Sequence, residues 1–278
     1  METPTKTSGR IPSFPLAGGG SIPSLGLGTW QLTGKACTDA VKQAFALGYT
    51  HLDTAEMYAN HEEIGRALRG HDRSKLFRTS KVWTSNLRRA DVIAACEEAL
   101  TELATPYIDL YLIHWPNRAI PVAETFDALR ELKEQGLIRH VGVANFTVKH
   151  LEEARNVSKV PIAMDQVEFH PYLYQKGLLD YCRKHGILLT AYSPLAQGKV
   201  FRDEKIAAIA RKHGKTAGQV TLRWLHEKGI VAIPKASSEK HLRENRAIFD
   251  FALDDEDTEI LDNLPQRRLI DPPFAEFG

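Results

Sequence analysis

The sequence predicts an α/β fold in which eight parallel strands and their helices close into one (β/α)8 barrel. Short apolar runs alternate with longer segments of helical period along nearly all of the 278 residues. The apolar runs show little polar alternation, which is typical of strands that are covered on both faces. Eight such units favour a closed barrel over an open sheet, and this length is ordinary for a single barrel. We therefore expect residues 1–278 to form one domain.

The eight predicted strands follow one another at the spacing of βα units. They are residues 25–28, 50–53, 76–81, 108–114, 138–143, 162–167, 187–191 and 230–233. The clearest helices predicted between them are residues 38–47, 91–103, 122–135 and 219–227. Prolines and glycines before residue 25 predict a hairpin that caps one end of the barrel. Prolines in the C-terminal tail, residues 267–274, predict an extended segment near the barrel mouth.

Composition and charge exclude several classes of protein. Hydrophobic residues make up 43% of the chain and charged residues 26%, as in ordinary globular proteins. The formal net charge is +1, so nucleic acid and anionic membranes are not expected partners. No apolar stretch is long enough to span a bilayer, and no secretion signal is visible. The three isolated cysteines suggest thiols in a reducing compartment, which predicts a cytoplasmic protein without a metal site.

Polar side chains stand where three consecutive predicted strands end. Asp53, Lys81 and His114 each close an apolar run, and Tyr58 lies in the loop after Asp53. In barrels, the carboxyl ends of the strands and the loops after them form the active site. Each residue taken alone has an ordinary structural interpretation, such as a helix cap or a buried histidine. Three consecutive strands that end in complementary groups favour a catalytic site.

This group of residues suits the reduction of a carbonyl. Such a reaction needs a proton donor beside the oxygen while hydride attacks the carbon. A free tyrosine has a pKa near 10, and a neighbouring ammonium would lower that pKa. Asp53 would hold Lys81 charged and in position, and His114 would donate a hydrogen bond to the substrate oxygen. The sequence therefore predicts Tyr58 as the general acid.

At these residues the sequence resembles the aldo-keto reductase family. The resemblance runs from about residue 22 to residue 264 and is closest to small bacterial members similar to 2,5-diketogluconate and methylglyoxal reductases. The motifs that carry it, in family order, are Leu25-Gly26-Leu27-Gly28-Thr29-Trp30, Gly48-Tyr49-Thr50-His51-Leu52-Asp53-Thr54-Ala55 with Tyr58, Lys81-Val82-Trp83, Asp109-Leu110-Tyr111-Leu112-Ile113-His114-Trp115-Pro116, Gly142-Val143-Ala144-Asn145-Phe146, Gln166-Val167-Glu168 and Ile233-Pro234-Lys235. No Gly-x-Gly-x-x-Gly fingerprint competes with it.

The resemblance implies an NAD(P)H-dependent reductase with a tetrad of Asp53, Tyr58, Lys81 and His114. It implies a cofactor that lies across the barrel mouth and contacts Gly28, Thr29, Trp30, Asp53, Asn145, Gln166, Tyr192, Ser193, Leu195, Gln197, Gly198, Lys235, Ser237, His241, Glu244 and Asn245. Within that set, Asn145 and Gln166 would hold the carboxamide and Tyr192 would stack on the nicotinamide. The implied substrate pocket for a small aldehyde or ketone consists of Trp30, Tyr58, Trp83, His114 and Trp115. Barrel packing is the alternative role of the tryptophans, and a monomer is the expected state.

Four positions depart from the family pattern. Ala144 replaces the usual serine before the carboxamide-binding asparagine, and Asp165 stands where asparagine is common. Members that prefer NADP typically carry serine at the position of Ala236 and arginine at that of His241. A guanidinium grips a 2′-phosphate bidentately, which a neutral imidazole does not do. We expect NADPH as the cofactor, with NADH use easier than in a typical member.

Two other functions compete with the reductase. A barrel with an inward lysine suits a Schiff-base aldolase that uses Lys81 as the nucleophile. A barrel that binds cofactor with little turnover would serve as a redox sensor or an auxiliary subunit. The tail residue Arg268 is expected either to meet an acidic substrate or to lie solvated on the surface.

Overall fold

The structure, a computed structural model, describes residues 10–277. The first elements of the described residues form an antiparallel hairpin of two short strands, β1 (Ser13–Pro15) and β2 (Ser21–Pro23). Gly18, Gly19 and Gly20 form its turn, and all three have positive φ angles, which glycine adopts without steric penalty. The predicted N-terminal hairpin is therefore confirmed.

Eight parallel strands form the second sheet, in the order of the sequence. They are β3 (Leu27–Gly28), β4 (His51–Asp53), β5 (Phe77–Val82), β6 (Ile108–Ile113), β7 (Ile138–Ala144), β8 (Ile162–Glu168), β9 (Leu188–Tyr192) and β10 (Val231–Ala232). Parallel bridges from Leu25 to Ala232 and from Gly28 to Lys235 join the first strand to the last. The sheet is therefore closed, and the predicted (β/α)8 barrel is confirmed.

Helices connect the strands and follow the last one. They are α1 (Gly34–Ala46), α2 (His61–Ala67), α3 (Arg89–Glu102), α4 (Val122–Glu134), α5 (Val148–Val157), α6 (Lys176–Lys184), α7 (Glu204–His213), α8 (Ala217–Glu227), α9 (Glu239–Arg246) and α10 (Asp255–Asp262). Thr147 and Thr216 close capping boxes at the starts of α5 and α8, because each threonine side chain accepts from the third backbone N–H of its helix. Among the helices of residues 10–277, none has the length and apolar character needed to cross a bilayer.

Apolar side chains fill the barrel interior, and the hairpin closes its lower end, where the strands begin. Leu16 and Ile22 of the hairpin pack with Leu110 and Met164 of the strands in one buried cluster. A β-carbon at Gly142 would lie 2.6 Å from the Leu112 side chain, so this position has no room for a larger residue. The predicted catalytic residues lie at the other end of the barrel, where the strands stop.

Candidate active site

The carboxyl ends of β4, β5 and β6 place the predicted catalytic residues side by side. Asp53 is the last residue of β4, Lys81 is the next to last of β5, and His114 directly follows β6. Parallel pairing brings Asp53 opposite Thr79 and Val82 opposite Ile113, so the three strands end at nearly the same height. The structure therefore groups three residues that lie well apart in the sequence.

Lys81 is the centre of this group and is almost fully buried. Its Nζ lies 2.5 Å from Asp53 Oδ1 and 3.3 Å from the Tyr58 hydroxyl oxygen. It also donates to the Thr54 carbonyl oxygen over 2.9 Å. The second Asp53 oxygen accepts from Gln166 Nε2 at 2.7 Å, so both carboxylate oxygens are satisfied. A buried ion pair of this kind is tolerated only when hydrogen bonds satisfy both partners, as they do here.

Tyr58 ends a short 3-10 turn, Glu56–Tyr58, that leaves the mouth end of β4. Ala59 follows with a φ of +49°, a left-handed conformation that is strained for a residue with a β-carbon. The Tyr58 ring lies between Trp30 and His114, with centroid distances of 4.9 and 5.7 Å. The phenol is half-buried and faces the barrel mouth beside the lysine.

Burial has a larger effect on the pKa of Tyr58 than the sequence predicts. Burial raises the pKa of Tyr58, the Lys81 ammonium lowers it, and the net shift is upward. The expected lowering is therefore wrong as a net effect, although the lysine acts in the predicted direction. Burial lowers the pKa of Lys81, but Asp53 and Tyr58 more than reverse that, so the ammonium stays charged. A charged lysine is not a nucleophile, which disfavours the Schiff-base aldolase.

His114 forms the opposite side of the group and is 7% exposed. Burial, followed by the charge of Lys81, lowers the pKa of His114 well below 6.5. The ring is therefore neutral at pH 7 and carries one N–H. Edge-on contact with Trp83, at a centroid distance of 5.1 Å, holds the ring in place. A neutral imidazole beside a phenol can donate a hydrogen bond to a carbonyl oxygen without protonating it.

The next strands bring the predicted nicotinamide residues to the same mouth. Ala144 pairs with Gln166, and Glu168 pairs with Tyr192, so Asn145, Gln166 and Tyr192 form one row. The Tyr192 hydroxyl donates to Asn145 Oδ1 over 2.7 Å, and Asn145 Nδ2 donates to the His114 carbonyl oxygen. Amides beside an aromatic face are the groups that a carboxamide-bearing ring would meet, so the residues present fit a nicotinamide.

Left-handed backbone accumulates along the predicted cofactor path. Asn145, Ser193 and Gln197 have φ angles of +62°, +46° and +53°, and Gly198 has +88°. Such conformations are costly for residues other than glycine and concentrate at ligand sites. Ser193 and Gln197 lie on the connection between β9 and α7, where Leu195 is half-buried and precedes the first 3-10 turn. The contact of Ser193, Leu195, Gln197 and Gly198 with a cofactor stays a prediction.

The remaining predicted cofactor residues lie at the last strand and around α9. Lys235 and Ser237 are exposed, and Lys235 Nζ contacts Gln31 at 3.4 Å. His241 is exposed in the first turn of α9, where its N–H donates to the Ser238 side chain. Further along α9, Glu244 is half-buried and Asn245 is buried.

Gly28 and Thr29 have structural tasks next to Asp53. A β-carbon at Gly28 would lie 2.4 Å from the Ile233 carbonyl oxygen, so glycine allows β3 to close against the last strand. Thr29 donates to the Asp53 carbonyl oxygen through both its backbone N–H and its hydroxyl. These contacts fix the backbone that carries the Asp53 carboxylate.

Aromatic rings surround the mouth above the tetrad. Trp30 is 44% exposed, Trp83 is half-buried, and Trp115 is 6% exposed. The backbone N–H of Trp83 donates to Glu56, two residues before Tyr58. Trp30 contacts the Tyr58 ring and Trp83 contacts the His114 ring, and the substrate pocket formed by the three tryptophans stays a prediction.

The tail contacts two of these tryptophans through aromatic side chains that the sequence analysis did not single out. The Phe274 ring meets Trp83 and Trp115 at centroid distances of 6.0 and 5.5 Å, and Phe277 meets Trp115 at 5.7 Å. Glu276 accepts from Arg118 at 2.8 Å and lies 3.2 Å from His150. The tail therefore lies over the mouth as expected, but with aromatic contacts that only a folded chain reveals.

Glu168 anchors the start of the tail and was not among the predicted site residues. Its carboxylate is fully buried and accepts the backbone N–H groups of Leu269 and Ile270 at 2.8 and 3.0 Å. Arg268 lies 3.9 Å from the same carboxylate and stacks over Phe277 at 3.5 Å. Arg268 is half-buried rather than solvated on the surface, so that alternative is wrong, and contact with an acidic substrate stays a prediction.

Comparison with known proteins agrees with this geometry. A model of the aldo/keto reductase family matches residues 24–265. The chain belongs to this family. As a member it is an NAD(P)H-dependent oxidoreductase, as the sequence predicts.

Relatives of known name or structure match almost end to end. The chain is 42% identical over 260 residues to a glyoxal reductase of Bacillus subtilis, which covers 92% of this chain and 94% of that protein. It is 40% identical to the methylglyoxal reductase DkgB of Salmonella typhi, with 91% and 97% covered. A Bombyx mori aldo-keto reductase solved in complex with NADP superposes with a TM-score of 0.88 at 30% identity, over 96% of this chain and 99% of that one.

Proposed function

We propose that this protein reduces small aldehydes and ketones to alcohols, with NADPH as hydride donor and Tyr58 as general acid. The observation that carries the proposal is the position of Lys81, whose Nζ contacts both Asp53 and the Tyr58 hydroxyl within a buried site. The names of the reductases to which the chain is similar support small dicarbonyls such as glyoxal and methylglyoxal as first substrates.

In this mechanism the substrate oxygen lies between the Tyr58 hydroxyl and the His114 ring. Bound nicotinamide supplies the hydride. Tyr58 transfers its proton to the carbonyl oxygen, and the Lys81 ammonium stabilises the phenolate that remains. Asp53 keeps that ammonium charged and aimed at the phenol. The raised pKa of Tyr58 keeps the proton available at neutral pH, which is the state that reduction requires.

Cofactor selection would depend on residues around the start of α9. Lys235, Ser237 and His241 are exposed and offer an ammonium, a hydroxyl and an imidazole to a 2′-phosphate. We propose NADPH as the preferred cofactor and NADH as a usable one, because none of these groups is a bidentate guanidinium. Asn145 and Gln166 would hold the carboxamide, and Tyr192 would stack on the ring.

The test compares Tyr58→Phe with the wild-type enzyme in the reduction of methylglyoxal and of an aromatic aldehyde. Removing the phenolic proton donor should lower kcat about 10²- to 10⁴-fold, while the Kd for NADPH stays nearly unchanged. Tyr181→Phe is the matched control, because Tyr181 lies on α6 and its hydroxyl bonds Arg155 away from the site. Near-full activity of Tyr58→Phe would refute the general-acid role.

The same assay separates the reductase from the sensor. Turnover with NADPH or NADH supports the reductase, whereas cofactor binding without turnover supports the redox sensor or auxiliary subunit. We also propose a cytoplasmic monomer, which agrees with the buried free thiols of Cys37, Cys96 and Cys182. Light scattering of the purified protein measures the oligomeric state.

A further inference from the structure

A separate cavity of about 540 Å³ lies far from the tetrad, at the end of the barrel where the strands begin. Its walls come from the chain before β1, from the ends of α1, α8 and α9, and from the segment after α9. The lining residues are Arg10, Ile11, Pro12, Leu47, Arg223, His226, Arg243, Arg246, Ala247, Phe249 and Asp250. Four of these eleven are arginines, which is an unusual concentration of positive charge for one cavity.

The acidic residues near this cavity do not balance its arginines. Arg223 pairs with Glu227 and Arg243 pairs with Glu239, each at 2.6 Å. Asp250 is the acidic lining residue, and both of its carboxylate oxygens accept from Lys215 at 2.7 Å. Counting these pairs together with the four lining arginines leaves two positive charges in excess.

Arg246 is a cavity residue whose positive charge is not neutralised by an acidic side chain in the described part of the chain. It forms no ion pair or side-chain hydrogen bond with residues 10–277, and its Nε is buried without a partner. The Nδ1 atom of His226, in the same cavity wall, is also buried without a partner. Arg246 is half-buried, and its terminal N–H groups, unlike Nε, are not enclosed, so they remain open to an anion in the cavity.

The remaining wall is apolar and aromatic. Ile11, Leu47 and Phe249 line it, and the His226 ring lies between Phe14 and Phe249 at centroid distances of 5.4 and 5.1 Å. A free inorganic ion would leave this surface uncovered. A ligand with an apolar body and a doubly charged head would match both walls.

We propose that this cavity is a binding site for a small organic phosphate. A phosphate monoester carries nearly two negative charges at pH 7 and offers three acceptor oxygens, which matches the excess charge and the unpaired guanidinium. Guanidinium groups bind phosphate through paired N–H donors, so Arg246 is assigned to the head group. The apolar wall of Ile11, Leu47 and Phe249 contacts the body of the ligand.

The test is calorimetric titration with phenyl phosphate, with inorganic phosphate as the second probe, at constant ionic strength. NADP⁺ at saturating concentration prevents binding at the cofactor site, and a parallel titration of Lys235→Ala removes a phosphate contact proposed for that site. Arg246→Ala should raise the Kd for phenyl phosphate about tenfold or more, because it removes charged hydrogen bonds. Arg130→Ala, on the distant helix α4, is the matched control and should leave the Kd unchanged.

Arg246→Lys distinguishes charge from geometry and guards against misfolding of the alanine variant. The lysine keeps the positive charge but lacks the paired N–H donors of the guanidinium. Its Kd for phenyl phosphate should therefore lie between those of the wild type and Arg246→Ala. Phenyl phosphate should also bind more tightly than inorganic phosphate in the wild type. Absence of binding, an equal Kd in Arg246→Ala and Arg130→Ala, or equal affinity for the two probes would overturn the proposal. None of these outcomes depends on carbonyl reduction.

Discussion

Asp165 offers a sharp test of how this barrel tolerates a buried acid. Its side chain is fully buried in β8, where Oδ1 accepts from the Phe146 N–H at 3.4 Å. Oδ2 has no partner among residues 10–277. Burial raises the pKa of Asp165 well above its usual value of 3.8, so folding favours the neutral form of this carboxyl group over the charged one. Asp165→Asn replaces it with a neutral group of almost the same shape.

The expected effect on stability depends on pH. Above pH 3.8 the unfolded chain ionises Asp165, while the folded chain must keep the proton. The contribution of the protonated carboxyl is therefore complete below pH 3.8 and is lost as pH rises, at about 1.4 kcal/mol per pH unit until the pKa of the folded state is reached. The wild type should therefore lose stability relative to Asp165→Asn as pH rises from 3.8, with a slope of at most about 1.4 kcal/mol per pH unit.

Urea unfolding of both proteins at several pH values measures this difference. Near pH 4 the wild type and Asp165→Asn should have free energies of unfolding that agree to within roughly 1–3 kcal/mol. That margin covers the different cost of burying an unpaired amide N–H and an unpaired hydroxyl. At higher pH the variant should become progressively more stable than the wild type. A stability difference that does not change with pH would show that Asp165 is charged in the folded protein, and the reasoning would fail.

Three further predictions concern the active site. Lys81→Met should lower kcat by at least about 10²-fold and lower the free energy of unfolding by about 3–5 kcal/mol, because it leaves Asp53 buried without its cation. Single-turnover rates measure the first effect and urea unfolding measures the second. An unchanged free energy of unfolding would contradict the stabilising role of the ion pair. Glu168→Gln removes an acceptor for one of the two tail N–H groups. It should raise KM for an aromatic aldehyde about tenfold with little change in kcat. An unchanged KM would argue against a role of Glu168 in holding the tail over the barrel mouth. His241→Arg should increase the preference for NADPH over NADH about tenfold in kcat/KM, and a constant ratio places the 2′-phosphate elsewhere.

Local sequence patterns predicted most of the fold. Each predicted strand overlaps an observed one, because strands buried on both faces leave long apolar runs. The observed boundaries differ by one or two residues, as at β5, which spans Phe77–Val82 rather than residues 76–81. Helix α1 begins at Gly34, four residues before the expected start, since Thr33 ends the preceding extended backbone.

The tetrad was also predictable, whereas the tail contacts and the titration of Tyr58 were not. Strand ends mark Asp53, Lys81 and His114 in the sequence itself. Glu168 stands at the end of β8 in the same way, but its partners are backbone groups about a hundred residues later. The balance between burial and the charge of Lys81 at Tyr58 depends on packing, which no motif encodes.

The tail residues near the proposed pocket and the tetrad residues belong to separate parts of the fold. Phe274 and Phe277 contact Trp83 and Trp115 of the proposed pocket, yet both lie outside the strands that hold Asp53, Lys81 and His114. Substitutions in this segment can reshape the pocket without disturbing hydride transfer, because Glu168 grips backbone atoms that every amino acid except proline provides. The side chains of the tail can therefore change while its attachment to Glu168 stays the same.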